Sequence, residues 1–114
     1  MTSVNSLREQ HRLQRIGTLR DQARVLLVDP GQEVWLFGSW ARGDWDARSD
    51  VDLLAVAPDQ VAAEALADAL REAGVGDDVK ALSQERWRQR RCGQDPWWRG
   101  IGRDAILLAA GASA

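Results

Sequence analysis

FGSWARG at residues 37–43 and SDVDLL at residues 49–54 are the two segments that decide the fold of this chain. A glycine-serine pair ends one apolar run, and two aspartates separated by a single residue open the next run. In an extended strand, residues two apart point to the same face of the sheet. Asp50 and Asp52 are therefore expected to project side by side from the start of a strand.

Two carboxylates held side by side repel each other unless a positive charge lies between them. Mg²⁺ is the usual partner of such a pair, and phosphate oxygens of a substrate often complete its coordination. The turn formed by Gly38 and Ser39 offers free backbone N–H groups to the same phosphates. The alternative interpretation is an ordinary strand-to-helix turn with Ser39 as the helix N-cap. Together the two segments favour Mg²⁺-dependent phosphoryl or nucleotidyl transfer.

The composition is typical of one small globular domain spanning residues 1–114. A chain of 114 residues and 12.6 kDa has room for a single hydrophobic core. No apolar run approaches the roughly 20 residues of a membrane span, and the polar residues 1–10 do not resemble an export signal. The single cysteine, Cys92, cannot form an internal disulfide, so a cytoplasmic protein is expected. The net charge of -2 argues against a general nucleic-acid binder, and neither nucleic acid nor membrane is expected as a partner.

Hydrophobic periodicity predicts a mixture of helices and strands. A helix over about residues 6–28 carries one apolar stripe, made of Leu13, Ile16, Leu19, Ala23 and Leu26. The segments predicted after it are a strand over 33–37, a helical turn over 39–43, a strand over 51–57, a helix over 61–73, a strand over 78–82, a short helix from Ser83 to about Arg90, and a last helix from Pro96.

The connections between these segments predict how the strands pair. The link between the first two strands is shorter than the dozen or more residues that a parallel crossover needs, so these strands are expected to be antiparallel. The helical link between the second and third strands allows a parallel pair. The expected fold class is α/β (α+β), a small mixed β-sheet with helices packed against it.

The central motif resembles the signature of the DNA polymerase β-like nucleotidyltransferase superfamily, which is a hydrophobic residue, Gly-Ser, a gap of ten residues, then Asp-hydrophobic-Asp-hydrophobic. The longer segments GSWARG at residues 38–43 and SDVDL at residues 49–53 look like the minimal nucleotidyltransferase (MNT) branch of this superfamily. DPWWRGI at residues 95–101 resembles the last element of the MNT proteins. The resemblance implies a polymerase β-like fold that binds two Mg²⁺ ions and ATP or another nucleoside triphosphate. It also implies transfer of a nucleoside monophosphate, expected to be AMP, to a hydroxyl with release of pyrophosphate.

The resemblance assigns catalytic and metal-binding roles to three carboxylates. Asp50 and Asp52 would hold the Mg²⁺ ions, and a third carboxylate from a neighbouring strand would complete the site and act as base toward the acceptor hydroxyl. Asp78 is the best candidate for this third position, and Asp77, on the opposite face, is the alternative. Lys80 departs from the family pattern because it would share a face with Asp78, where it either pairs with phosphate or marks a weakened site.

Four residues are expected to bind the nucleotide. Gly38 and Ser39 would hold its β- and γ-phosphates through backbone N–H groups and the serine hydroxyl. Ser49 either contacts phosphate, as the resemblance suggests, or caps the turn before the second strand. Arg42 touches phosphate, braces a neighbouring aspartate or packs its stem on a tryptophan, and the resemblance favours a role in the site.

The expected partners follow from the same resemblance. MNT proteins of this size resemble the antitoxins of toxin–antitoxin pairs whose partner is a small helical HEPN-domain ribonuclease, so the implied acceptor is a side-chain hydroxyl on that partner. The arginine- and tryptophan-rich segment 86–103 would help docking, although a solvated helix face is the simpler explanation of its charges. Two alternatives stay open: an antitoxin that acts by binding alone, and a small-molecule nucleotidyltransferase whose acceptor site forms in a complex or homo-oligomer.

Overall fold

The computed structural model describes residues 4–111, so residues 1–3 and 112–114 of the predicted domain lie outside the described part. Within that part the elements are α1 (Val4–Leu26), β1 (Glu33–Phe37), α2 (Ser39–Arg42), β2 (Asp52–Ala57), α3 (Gln60–Glu72), β3 (Asp78–Ser83), α4 (Gln84–Cys92), α5 (Pro96–Asp104) and β4 (Ile106–Ala110). None of these helices combines the length and the apolarity that crossing a bilayer requires.

The described strands form a mixed sheet in the order β3-β2-β1-β4. β1 and β2 run antiparallel, whereas β2 and β3 run parallel with α3 as their connection. Both relations agree with the lengths of the connecting segments. The predicted α/β fold, a small mixed sheet with helices packed against it, is confirmed.

The strand β4 is an element that the sequence analysis did not predict. Ile106–Ala110 follows α5 closely and pairs antiparallel with β1. Periodicity over so short an apolar run does not separate a strand from the continuation of a helix. Because β4 and β2 flank β1 on either side, β1 is an interior strand. The turn that follows β1 therefore begins at a strand that is hydrogen-bonded on both sides.

The side chains of β2 alternate between two buried layers, as residues along a strand do. Leu53 and Ala55 lie in the main core with residues of α1 and α3. Leu54 and Val56 lie on the other side, in a second cluster made of Phe37, Leu54, Val56, Leu82 and Trp87. Each large apolar side chain buried in this way contributes about 1.5–3 kcal/mol. The strand that begins at Asp52 is thus held from both faces, as its apolar sequence predicts.

The apolar stripe predicted for α1 is only partly buried. Ile16, Leu19 and Ala23 belong to the main core and Leu26 packs at its edge, but Leu13 is 56% exposed. The core ends before Leu13, because the N-terminal half of α1 contacts the loop after α2 instead of the sheet. Periodicity predicts which face of a helix is apolar but not how far the core extends along it.

Arg12 connects α1 to the end of α2 through hydrogen bonds. Its Nε donates a hydrogen bond of 2.7 Å to the Trp40 carbonyl, and Nη2 donates one of 2.8 Å to the Ala41 carbonyl. The last carbonyls of a helix have no partner within the helix and carry partial negative charge, so a guanidinium is well placed there. Trp40 also stacks on Trp45, with 4.4 Å between ring centroids. The short helix α2 is thereby fixed beside the sheet.

Candidate active site

The chain turns from β1 into α2 at Gly38. The backbone there has φ 75° and ψ -156°, a combination that is essentially restricted to glycine. A Cβ atom at this position would overlap Oδ2 of Asp52, so the Asp52 carboxylate lies directly against the Gly38 backbone. Strand pairing explains the proximity, because Phe37 and Asp52 are partners in the antiparallel register. Both the backbone conformation and the neighbouring carboxylate therefore require glycine here.

Ser39 is the first residue of α2 and not its N-cap. Gly38 occupies the cap position and no side-chain hydrogen bond caps this helix, so the alternative interpretation of Ser39 as the N-cap is wrong. The glycine backbone already turns the chain into the helix, which leaves the serine hydroxyl unused for capping. The first N–H groups of a helix have no partner within it. The turn therefore keeps donors that can face an anion.

The parallel register of β2 and β3 brings the second and third candidate carboxylates opposite each other. Asp52 and Asp78, the first residues of their strands, are register partners. Asp77 makes a different contact: its Oδ2 accepts a hydrogen bond of 2.8 Å from the Val51 N–H. Asp50 is exposed and lies before the start of β2, so it is not part of the strand.

Negative charge accumulates around Asp52. Its carboxyl pKa is raised above the usual value, first by burial and then by the charges of Asp78 and Asp50, while the Lys80 ammonium partly offsets this rise. Burial disfavours the charged form of a carboxyl group, and nearby like charges do the same. A cation bound among these side chains would relieve both effects, so the site suits a positively charged ligand.

The donor set fits Mg²⁺ bound together with a nucleotide. In the described part of the chain, no three His, Cys, Asp or Glu side chains are grouped as a preformed metal site, and Asp50, Asp52 and Asp78 therefore do not form a complete set of ligands by themselves. Mg²⁺ is commonly held by one or two carboxylates, with water and substrate phosphates supplying the remaining oxygens. The carboxylates around Asp52, next to a turn with free N–H groups, match that mode of binding.

Lys80 and Arg42 each contact a carboxylate near the site. Lys80 Nζ lies 3.5 Å from Asp78 Oδ2, so the two residues share a face of β3 as their spacing predicts. Arg42 Nε lies 3.2 Å from Asp44 Oδ2. Of the three roles considered for Arg42, bracing a neighbouring aspartate is the contact present here. Both ion pairs are exposed and are accordingly weak.

Ser49 shapes the loop that leads into β2. Its Oγ accepts a hydrogen bond of 2.8 Å from the Asp46 N–H and lies 3.3 Å from Asp46 Oδ1. The Ser49 carbonyl also accepts a 3.4 Å hydrogen bond from Nε1 of Trp40. The contacts present are those of a turn-forming serine, which is one of the two roles considered for this residue.

A cleft of about 460 Å³ opens beside Asp52. Gly38, Ser39, Arg42 and Asp52 line one part of it, and the other lining residues, apart from Phe37, are Pro96, Trp97, Gly100, Ile101, Arg103 and Asp104 of α5. Sites for small molecules commonly measure about 300–1,000 Å³. The sequence predicts the last helix, but no motif indicates which way this helix faces, so none of its residues could be assigned to the site.

Comparison with known proteins identifies the family of this chain. The family model described as a nucleotidyltransferase domain matches residues 18–94, a segment that contains Gly38, Ser39 and the three carboxylates. No curated protein matches the chain. A solved structure described as "Crystal structure of the toxin-antitoxin with AMP-PNP" shares 22% identity, covers 88% of this chain and 72% of its own, and has a TM-score of 0.44. Because this family model matches most of its length, the chain belongs to the nucleotidyltransferase domain family.

Proposed function

We propose that this protein is a cytoplasmic, Mg²⁺-dependent nucleotidyltransferase that moves AMP from ATP to a hydroxyl on a partner protein and acts as an antitoxin. The observation that carries the proposal is the position of Asp52, which lies against the Gly38 turn with Asp78 as its strand partner. Nucleotidyl transfer from a triphosphate requires carboxylates that hold metal ions and a turn that binds phosphates. In this chain the candidate carboxylates and the Gly38 turn lie at adjacent strands.

Each residue of the site has a distinct part in the proposed reaction. Gly38 and Ser39 bind the β- and γ-phosphates, and Asp50, Asp52 and Asp78 hold the metal ions. Mg²⁺, when bound, neutralises the charge of the triphosphate and of the departing pyrophosphate. The acceptor oxygen forms a bond to the α-phosphorus while the bond from that phosphorus to the pyrophosphate oxygen breaks. Asp78 accepts the proton of the acceptor hydroxyl.

Unpaired positive charge on α4 and α5 supports a protein partner. Within the described part of the chain, five exposed arginines of α4 and α5 make no ion pair, namely Arg86, Arg88, Arg90, Arg91 and Arg99. We call these five residues the arginine surface. Such a surface can steer an acidic partner toward the adjacent cleft. From the resemblance of the motif to MNT antitoxins, we take the partner to be a helical HEPN-type ribonuclease with the acceptor hydroxyl on one of its side chains.

The partner is expected to gain the mass of one or more adenylate units when it is mixed with this protein, ATP and Mg²⁺. Intact-mass spectrometry of a HEPN-type candidate partner measures the gain. The matched controls omit ATP, or replace Mg²⁺ with a chelator, and should show no gain. A stable complex without any mass gain would contradict the transfer reaction. Release of pyrophosphate with small hydroxylated acceptors, and none with the partner, would indicate a small-molecule transferase.

The ion pair between Lys80 and Asp78 favours a second candidate function, an antitoxin that acts by binding alone. A lysine on the third carboxylate competes with a metal ion for the same oxygens. In this candidate the protein covers the partner without turnover. Calorimetry with ATP and Mg²⁺ separates the two functions, because tight partner binding without nucleotide binding would favour occlusion.

Lys80→Met is expected to tighten Mg²⁺ binding to the nucleotide-free protein by about twofold to fivefold, since the substitution removes the competing ammonium. Calorimetric titration with Mg²⁺ measures the change. Arg86→Met serves as the matched control, because it removes one positive charge from α4 and should leave Mg²⁺ affinity unchanged. Unchanged or weaker Mg²⁺ binding in the Lys80 variant would show that this lysine does not compete for the site.

A further inference from the structure

Helix α5 supplies an apolar surface to the cleft that the proposed reaction has not used. Pro96, Trp97, Gly100 and Ile101 line the cleft together with Gly38 and Asp52 of the site. The helix begins after residue 94, where the match to the family model ends. Trp97 is 55% exposed although its side chain is large and apolar. Exposed aromatic surface in a binding cleft indicates a ligand that covers it.

The position of Trp97 is held by the residues around it. Asp95 Oδ1 accepts a hydrogen bond of 2.9 Å from the Trp97 N–H, which fixes the start of the helix. Trp98 packs against the second cluster and meets the Trp97 ring edge-on, at 4.8 Å between centroids and 83° between planes. The Trp97 ring therefore contacts Trp98 on one side, while the residue as a whole stays exposed to solvent. A fixed aromatic ring loses little freedom when a flat ligand stacks on it.

The space beside Trp97 is open at Gly100. A Cβ atom added to Gly100 would meet no atom within 4 Å, so the cleft is not filled at this point of the helix. The polar side chains that line the cleft are Ser39 and Arg42 of α2, Asp52 of β2, and Arg103 and Asp104 at the C-terminal end of α5. The part of the cleft at Gly38 and Asp52 is suited to phosphates and metal, whereas the part lined by Pro96, Trp97 and Ile101 of α5 is suited to a flat apolar group.

We propose that α5 forms the nucleoside-binding wall of the cleft, with the Trp97 indole stacked on the base of the nucleoside triphosphate whose phosphates lie at Gly38 and Ser39. This inference rests on the proposed function. It identifies a contact for the base of the substrate, which the carboxylates do not contact. Stacking on an aromatic side chain tolerates any base, because every base has a flat π-face. The larger rings of purines offer more stacking area, so purine triphosphates bind more tightly than pyrimidine triphosphates.

Trp97→Ala is expected to weaken the binding of nucleotide but not of phosphate alone. Calorimetry on the full chain with Mg²⁺ compares tripolyphosphate with an ATP analogue that has a methylene group between its α- and β-phosphates. The substitution should lower affinity for the analogue by about fivefold to 100-fold, the range that loss of one stacked base gives, and leave tripolyphosphate affinity unchanged. Trp97→Phe should retain most of the affinity, because it preserves an aromatic face.

Val61→Ala is the matched control, since Val61 is 78% exposed on α3 and is not among the residues lining the cleft. Equal losses for tripolyphosphate and the analogue in Trp97→Ala would overturn the inference, because Trp97 would then act only on the shape of the site. Unchanged analogue affinity would overturn it as well, because the base would lie elsewhere or Trp97 would serve a protein partner. If the unaltered protein bound neither probe, the proposed function itself would fail, and the inference with it.

Discussion

Asp52→Asn is expected to abolish nucleotidyl transfer, with a loss of about 10³-fold or more, while raising the melting temperature of the Mg²⁺-free protein. The loss of transfer follows because Asp52 is the carboxylate that lies against the phosphate-binding turn. Interactions of a metal ion with the transferring group are worth several kcal/mol, and each 1.4 kcal/mol is about tenfold in rate. Pyrophosphate release in the presence of ATP, Mg²⁺ and the partner measures the loss.

The gain in stability follows from the raised pKa of Asp52. Between the usual carboxyl pKa and this higher value, the folded protein holds a proton that the unfolded chain has already released. The free energy of unfolding therefore falls as pH rises through this range, and at neutral pH the charged carboxylate destabilises the fold. Asparagine removes that charge. The variant should melt above the unaltered protein at pH 7, and the difference should shrink toward pH 4.

Thermal melts with and without Mg²⁺ test the same reasoning. Mg²⁺ should stabilise the unaltered protein and have little effect on Asp52→Asn, since binding to the folded state alone raises stability. Asp68→Asn is the matched control, because it removes one exposed carboxylate of α3 that pairs with Arg71 away from the site. A variant that melts below the unaltered protein at pH 7 without Mg²⁺ would contradict this account of Asp52.

Short-range sequence features predicted the central part of the fold. The link between residues 38 and 49 is too short for a crossover, which forces β1 and β2 to be antiparallel. The continuously apolar sequence of β2 indicates a strand covered on both faces, and the helix before β3 makes a parallel pair possible. These relations depend on chain length and local composition alone, so one sequence was sufficient to predict them.

Features that depend on distant contacts were not predictable in the same way. Leu13 continues an apolar stripe, yet the core ends before it. The choice between Asp77 and Asp78 depends on the register of two strands and on a hydrogen bond to Val51, neither of which the sequence states. Trp97 lies in the arginine- and tryptophan-rich segment that was expected to help docking, and only the packing of α5 places this residue in the cleft.

Gly38→Ala is expected to destabilise the fold by more than about 2 kcal/mol and to abolish nucleotide binding. The backbone at Gly38 has φ 75°, a conformation that costs other residues about 1–3 kcal/mol. The added methyl group would also overlap the Asp52 carboxylate, which must then move away from the turn. Urea denaturation measures the first effect, and calorimetry with the methylene ATP analogue and Mg²⁺ measures the second.

Gly74→Ala separates these two causes. Gly74 also has a positive φ, 71°, but a Cβ atom there meets no atom within 4 Å, so the substitution introduces backbone strain without a clash. It should cost about 1 kcal/mol and leave nucleotide binding intact. In the double variant Gly38→Ala/Asp52→Gly the overlap disappears, so stability should recover beyond the sum of the single changes. Additive effects of Gly38→Ala and Asp52→Gly would mean that this carboxylate does not lie against the turn, and the proposed site would lose its central contact.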